Sequence, residues 1–177
     1  MLTALQTLDN EKLSHGDIKP DNIGFRNGFC LLDFGCASTV PPDHQKNIMG
    51  SPLYMSPESI VAPKNIKHKD LYALGIILKQ WTWRDTDKII APYQGEDTLS
   101  FIFRKGNVFT AARQENPIEN RNRNQYQQGL RAQLFTHNNF GDCIEWIADR
   151  LIEVLPERRP DFATLEAALS HLRTLSP

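Results

Sequence analysis

None of the ten glycines falls in a Gly-x-Gly arrangement, so the sequence offers no glycine-rich loop of the kind that covers nucleotide phosphates. Cysteine is scarce as well. The three residues, Cys30, Cys36 and Cys143, make neither a Cys-x-x-Cys pair nor an even framework, which excludes a disulfide scaffold and fits reduced thiols in a cytoplasmic compartment. Cys36 reads as a small packing residue rather than a redox switch. No apolar run approaches a membrane span, and the amino terminus lacks a basic stretch followed by an apolar one, so a soluble, unprocessed chain is expected. Neither sign of charge dominates: 20 Lys and Arg stand against 21 Asp and Glu. With a pI near 6.5 there is no basic field, and neither nucleic acid nor an anionic membrane is an implied partner. What is present suffices for one core, because 177 residues with 40% hydrophobic side chains suit a single domain over 1–177.

The chemistry concentrates in two stretches, His15-Gly16-Asp17-Ile18-Lys19-Pro20-Asp21-Asn22 and Leu32-Asp33-Phe34-Gly35. Between them Asn27-Gly28, flanked by apolar residues, predicts a β-hairpin closed by a two-residue turn. Cross-strand partners then have numbers that sum to 55, which sets Asn22 opposite Asp33. An amide oxygen and a carboxylate at one point, with room for water and phosphate oxygens, are hard ligands suited to Mg²⁺ carrying a nucleotide. Asp17 lies close enough in sequence to serve the same site as a base or orienting carboxylate, and Lys19 adds positive charge where phosphoryl charge develops. Asp and Asn also populate ordinary turns, and either motif alone fits that simpler reading.

His15-x-Asp17-x-Lys19-x-x-Asn22 followed by Asp33-Phe34-Gly35 resembles the catalytic loop and metal-binding motif of eukaryotic-like Ser/Thr protein kinases. Gly50-Ser51-Pro52-Leu53-Tyr54-Met55-Ser56-Pro57-Glu58 resembles the end of an activation segment, with Ser-Pro-Glu standing for the usual Ala-Pro-Glu. Asp70-Leu71-Tyr72-Ala73-Leu74-Gly75 resembles the start of the central helix of the larger lobe, and Pro156-Glu157-Arg158-Arg159-Pro160 the late Arg motif. The likeness runs from about 1 to 83 and again from about 141 to 175. It covers the larger lobe only, since the smaller lobe's Gly-rich loop, strand lysine and helix glutamate have no counterpart. A mainly α fold within an α+β family is implied, with one short β-hairpin. The implied layout is a catalytic loop and activation segment over 13–58, a central helix over about 68–83, a variable insertion over about 84–140 and closing helices over about 142–175.

The resemblance assigns roles. Asp17 positions or deprotonates an acceptor hydroxyl, Lys19 neutralises transferring charge, and Asn22 and Asp33 hold Mg²⁺ for ATP. His15, Phe34 and Gly35 are structural. Ser51 bridges Asp17 and Lys19, and Tyr54, Ser56, Pro57 and Glu58 belong to the segment that receives a protein substrate. Asp70 accepts backbone N–H groups of the catalytic loop in this reading, and Arg159 forms a buried ion pair with Glu58. Gly16 departs from the family, which usually has an Arg that pairs with a phosphorylated activation loop. His-Gly-Asp with an Asn five residues on also resembles aminoglycoside and choline phosphotransferases, which lack the Pro-Glu segment. A non-catalytic kinase-like binding module is a third alternative. Partners implied are a protein with Ser or Thr acceptors and a small-lobe-bearing or regulatory protein.

Elsewhere, Leu2, Leu5 and Leu8 predict a short helix with Thr3 and Gln6 spaced for a capping box, although the family helix is longer and would begin before Met1. Val40-Pro41-Pro42 and its surroundings predict a surface loop, with Ser38 and Thr39 as ordinary exposed hydroxyls. Leu71, Leu74, Leu78 and Trp81 mark one helix face, and Ala73, Ile76 and Ile77 make the other apolar, so that helix is buried. Leu99, Phe101, Ile102, Phe103, Val108 and Phe109 show no clean period. From Arg113 to Gln128 the Asn- and Gln-rich chain reads as a solvated insertion, bland or partner-docking. Asp142, paired with Glu145, predicts the cap of an amphipathic helix. Asp161 predicts the cap of a last one with Leu165, Ala168, Leu169 and Leu172 on its inner face.

Overall fold

The computed structural model describes residues 1–39, 49–61, 68–82, 92, 94–115 and 122–175. Helices dominate. Helix α1 (Leu2–Asn10) leads into a strand pair, β1 (Leu13–Ser14) with β4 (Ser38–Thr39), and between these lies the hairpin β2 (Ile23–Phe25) and β3 (Phe29–Leu31). Then come α2 (Pro57–Val61), α3 (Lys69–Thr82), α4 (Thr98–Glu115), α5 (Arg123–Leu134), α6 (Phe140–Leu151) and α7 (Phe162–Leu175). The mainly α character expected from the sequence is what the described residues show.

The core forms where α3 lies against α6, with α1, α5 and α7 closing around it. Leu5, Leu71, Ala73, Ile77, Leu134, Ile147, Leu151, Leu165 and Leu172 are buried together, and Ile18 of the loop after β1 joins them. Burying a Leu or Ile stabilises by about 1.5 to 3 kcal/mol, so Ile18 anchors the loop on which Asp17 and Lys19 sit. Along α3 the buried positions are 71, 72, 73, 75, 76, 77 and 79, so the stripe through Leu74, Leu78 and Trp81 falls at the edge of the contact. Trp81 is accordingly 67% exposed, contrary to expectation.

The hairpin is slipped by one residue from the predicted register. Its pairs are Ile23 with Leu31, Gly24 with Cys30 and Phe25 with Phe29, so the loop is Arg26-Asn27-Gly28 rather than Asn27-Gly28 alone. Asn27 (φ 55°) and Gly28 (φ 134°) both take left-handed backbone, which can close a three-residue loop as well as a two-residue one. The longer loop makes Phe25 and Phe29 direct partners with rings edge to face at 5.5 Å, a pairing the predicted register would have lost. Asn22 consequently faces Leu32, whose N–H donates to its carbonyl at 2.9 Å, and not Asp33.

Other expectations are corrected nearby. Helix α1 starts ahead of Thr3, so no capping box forms; the Thr3 carbonyl accepts from Thr7 Oγ1 at 2.9 Å, and Gln6 reaches Glu166 on α7 at 2.8 Å. Ser38 lies in a strand with its hydroxyl oxygen buried, not exposed in a loop. The loop expected at Val40-Pro41-Pro42 lies outside the described residues.

The expected solvated stretch proves partly helical and partly core. Residues 113–115 end α4 and 123–128 open α5, while 116–121 lie outside the described residues. Gln127 is 1% exposed. Its Nε2 donates to the Arg159 carbonyl at 2.9 Å, and its Oε1 accepts from Asp161 N and Thr164 Oγ1 at 3.0 Å each. An amide satisfied in this way can be buried at little penalty. Helix α6 begins three residues earlier than predicted, because Asn139 caps it by accepting from Asp142 N at 2.8 Å. Asp142 instead sits in the first turn, where its charge favours the helix N-terminus. The Asp161 cap of α7 is present, accepting from Thr164 N at 2.8 Å, but Leu169 points outward.

Candidate active site

The site is built on a loop tied down from below. Asp70, in the first turn of α3, accepts from Ser14 Oγ (2.9 Å), His15 N (2.7 Å) and Gly16 N (2.9 Å). Three donors on one carboxylate fix the loop's backbone before any ligand arrives. Gly16 takes φ +83°, and a Cβ there would stand 2.5 Å from the Cys36 carbonyl oxygen, so no other residue fits without the loop shifting. His15 is buried beneath; its Nε2–H donates to the Leu32 carbonyl at 2.9 Å, and its ring tilts against Phe34 at 4.8 Å. His15 thus links the loop to the turn that carries Asp33.

Both carboxylate oxygens of Asp17 are engaged. Lys19 Nζ donates to Oδ2 at 2.7 Å and Ser51 N donates to Oδ1 at 2.7 Å, while Asn22 Nδ2 donates to the Asp17 carbonyl at 2.8 Å and to Oδ2 at 3.1 Å. Burial acts to raise the Asp17 pKa, but the hydrogen bonds from Lys19 and Ser51 together outweigh it and hold the group below the ordinary 3.8. The carboxylate is therefore ionised at neutral pH. Lys19 is held above its ordinary range mainly by the bond to Asp17, with the charges of Asp21 and Asp33 adding to it. Lys19 Nζ also donates to Ser51 Oγ at 3.0 Å, so one ammonium spans the loop and the segment after Gly50.

Asp33 takes left-handed backbone (φ 57°) ahead of the Phe34–Cys36 turn. Its Oδ1 accepts from Gly35 N at 3.1 Å, the residue is exposed, and its charge contributes to holding the Lys19 pKa up. Asn22, with its NH₂ committed to Asp17, has its amide oxygen left as an acceptor. Among the described residues no group of three or more His, Cys, Asp or Glu side chains could hold a metal by itself. A cation bound by Asn22 and Asp33 would take its remaining ligands from phosphate and water, as Mg²⁺ does.

The segment beyond Ser51 is tied to the scaffold. Tyr54 donates its hydroxyl to Gln80 Oε1 at 3.2 Å, Ser56 and Ser59 share a hydrogen bond at 2.6 Å, and Pro57-Glu58 opens α2. Glu58 and Arg159 are both 0% exposed and meet in a two-pronged pair at 2.6 and 2.8 Å. Arg159 donates further to the Glu153 carbonyl at 2.9 Å and lies over the Tyr72 ring at 4.9 Å. Lys105 of α4 was not foreseen. Its ammonium is buried against this same segment, and the only sequence signal is its place in the Phe101, Lys105, Phe109 stripe at four-residue spacing.

A family model described as "Protein kinase domain" matches residues 1–171. Among curated proteins, human Serine/threonine-protein kinase ULK3 is 37% identical over 83 residues, 44% of this chain and 18% of that protein. Mitogen-activated protein kinase kinase kinase 17 of Arabidopsis thaliana is 29% identical over 115 residues, 60% of this chain and 29% of its own. Serine/threonine-protein kinase Pkn1 of Myxococcus xanthus is 40% identical over 87 residues, 44% of this chain and 13% of its own. The matched stretches thus span less than a third of these relatives. No helix among the described residues is long and apolar enough to cross a membrane. With the family model matching nearly the whole chain, this protein belongs to the eukaryotic-like Ser/Thr protein kinase family.

Proposed function

We propose that this chain is the catalytic lobe of a Ser/Thr protein kinase, 1–177 forming one lobe, that transfers the γ-phosphoryl group of Mg·ATP to hydroxyls of a protein substrate in the cytoplasm. The observation that carries the reading is the Lys19 ammonium joined at once to Asp17 Oδ2 and Ser51 Oγ, at 2.7 and 3.0 Å. An ionised carboxylate beside a fixed cation is what a hydroxyl nucleophile and a phosphoryl group need at the same point. Asp17 orients the acceptor hydroxyl and takes its proton. Lys19 offsets charge on the transferring oxygens. Asn22 and Asp33 would hold Mg²⁺, which when bound offsets negative charge on the nucleotide phosphates. The segment from Ser51 to Glu58, tied to Lys19 and Arg159, favours a protein acceptor over the small-molecule alternative. A small-lobe-bearing or regulatory protein is a partner in this reading.

A second reading, a non-catalytic binding module, has one observation in its favour: no Gly-x-Gly occurs in the sequence to close over phosphates. Calorimetric titration with Mg·ATP, with Asp33→Ala as control, separates the two. Binding that Asp33→Ala abolishes, followed by labelled-phosphate transfer to protein Ser or Thr, is expected. A folded, monodisperse chain that takes no nucleotide would sink independent catalysis and favour the module.

A further inference from the structure

Two lysines are buried among the described residues, and they are treated differently. Lys79 is paired with Asp149. Lys105, 0% exposed, pairs with no carboxylate among the described residues; its Nζ donates to the Pro52 and Leu53 carbonyls at 3.2 Å each and lies 5.2 Å from the ring centroids of both Tyr72 and Phe101. The approach of α4 to α2 delivers it there: a Cβ on the neighbouring Gly106 would come within 2.9 Å of Val61 and 3.1 Å of Ile60. A methionine would fill the same volume without a buried charge, and such exchanges are often neutral or stabilising. The buried charge therefore costs stability, and what it acts on is the pair of carbonyls it holds.

Those carbonyls belong to a turn that ends at the active site. Ser51 O accepts from Tyr54 N at 3.0 Å and Met55 N at 3.1 Å, while Ser51 N donates to Asp17. We propose that Lys105 is a positioning residue, whose ammonium fixes the Pro52 and Leu53 carbonyls and through that turn sets Ser51 against Asp17, where an acceptor hydroxyl is received. Only the last clause rests on the phosphotransfer reading.

This positioning responds to pH in the neutral range. Burial pushes the Lys105 amine down from 10.5 to about 7; Glu58 on α2 opposes the fall, while Arg104 on its own helix and Arg159 ahead of α7 add to it. Tyr72 on α3, whose phenol burial raises well above its usual range, stays neutral, and Tyr54 in the turn itself donates to Gln80. The deprotonated amine keeps its N–H donors but loses the charge assistance and the attraction of the two rings. Local order and global stability then move in opposite directions. Because the unfolded chain binds the extra proton between about 7 and 10.5, stability rises with pH across that window while the turn loosens.

Amide hydrogen exchange on the unliganded chain at pH 6 and pH 8, corrected for intrinsic exchange rates, tests this alongside Lys105→Met. The Tyr54 and Met55 amides are expected to lose about tenfold in protection at pH 8, with core amides of Ile76 and Ile77 unchanged or slower. Lys105→Met should show the loosened turn at both pH values, with a urea midpoint equal to or above that of the unaltered protein. A Lys105→Met turn as ordered as the unaltered one overturns the proposal, and equal protection of Tyr54 and Met55 at the two pH values overturns its pH response. Should Lys105→Met not fold, Lys105→Gln, which removes the charge and keeps a donor, takes its place in the comparison. No nucleotide enters the measurement, so failure to bind Mg·ATP would count against the phosphotransfer reading and leave this result standing.

Discussion

The guanidinium of Arg159 has Glu58 on two nitrogens, the Glu153 carbonyl on its Nε and the Tyr72 ring beneath it, with Arg159, Glu58 and Tyr72 out of water. Arg159→Met leaves the Glu58 carboxylate buried without its partner, and a charge stranded in this way costs about 3 to 5 kcal/mol. The double change Arg159→Met with Glu58→Gln removes both charges and should recover much of that loss. Urea denaturation measures both, and a single variant within about 0.5 kcal/mol of the unaltered protein would show the pair to be dispensable. This pair could be anticipated because both residues sit in short motifs that resemble the Pro-Glu and late Arg motifs of the kinase family. Lys105 could not: a lysine in a helix is ordinarily a solvated residue, and nothing in its neighbours announces that two carbonyls from a distant turn will meet it. Asn22 and Asp33 fall between these cases, since their residue types were readable while the register that relates them was not.

At the level of elements, the crossing of α3 and α6 sets the distance between the site and its scaffold. A Cβ at Gly75 would meet Leu151 Cβ at 2.7 Å and Ile152 Cγ2 at 2.8 Å, and neither atom lies at the end of a flexible chain. Gly75→Ala therefore pushes the helices apart, and overpacking of this kind costs about 1 to 3 kcal/mol despite the gain in helix propensity. Gly129, on the exposed side of α5, has nothing within 4 Å of an added Cβ. There the same change should stabilise by about 0.5 to 1 kcal/mol. Opposite shifts of the two denaturant midpoints are expected; equal shifts would mean that the crossing yields. Helices α3, α6 and α7 could be read from periodicity because their apolar positions are mostly the buried ones. In α4 and α5 the relation is partly inverted, with Leu99 and Phe103 exposed and Lys105 and Gln127 buried, so the Phe101 and Phe109 stripe is interrupted by a charge and offset by exposed apolar residues. The hairpin slip has the same origin. Asn27-Gly28 marks where the chain reverses, but the contact between Phe25 and Phe29 selects how many residues the loop takes.

Among the described residues, the loop that carries Asp17 and Lys19 is held by two systems that do not share a residue on the scaffold side. Asp70 grips the Ser14 to Gly16 backbone from α3, while the turn after Gly50 grips Asp17 from the other side, with Lys105 and the Glu58–Arg159 pair behind it. Asp17 and Lys19 thus sit on a loop but inherit the order of the helical core, which is what catalysis by positioning demands. Asp70→Asn separates the two holds. An amide offers one acceptor oxygen where the carboxylate offers two, so the bonds that now reach both oxygens cannot all persist, and the loss of charge weakens those that do. The His15 and Gly16 amides should exchange about tenfold faster or more, the equivalent of losing about 1.4 kcal/mol of local stability. Tyr54 and Met55, held by the other system, should keep their protection, and the α3 core amides should remain the slowest. If His15 and Gly16 instead exchange as slowly as the core in Asp70→Asn, the loop is ordered by burial of Ile18 and His15 alone. If Tyr54 and Met55 loosen together with them, the two holds act as one unit, and changes at α3 and α4 should then be strongly non-additive in stability.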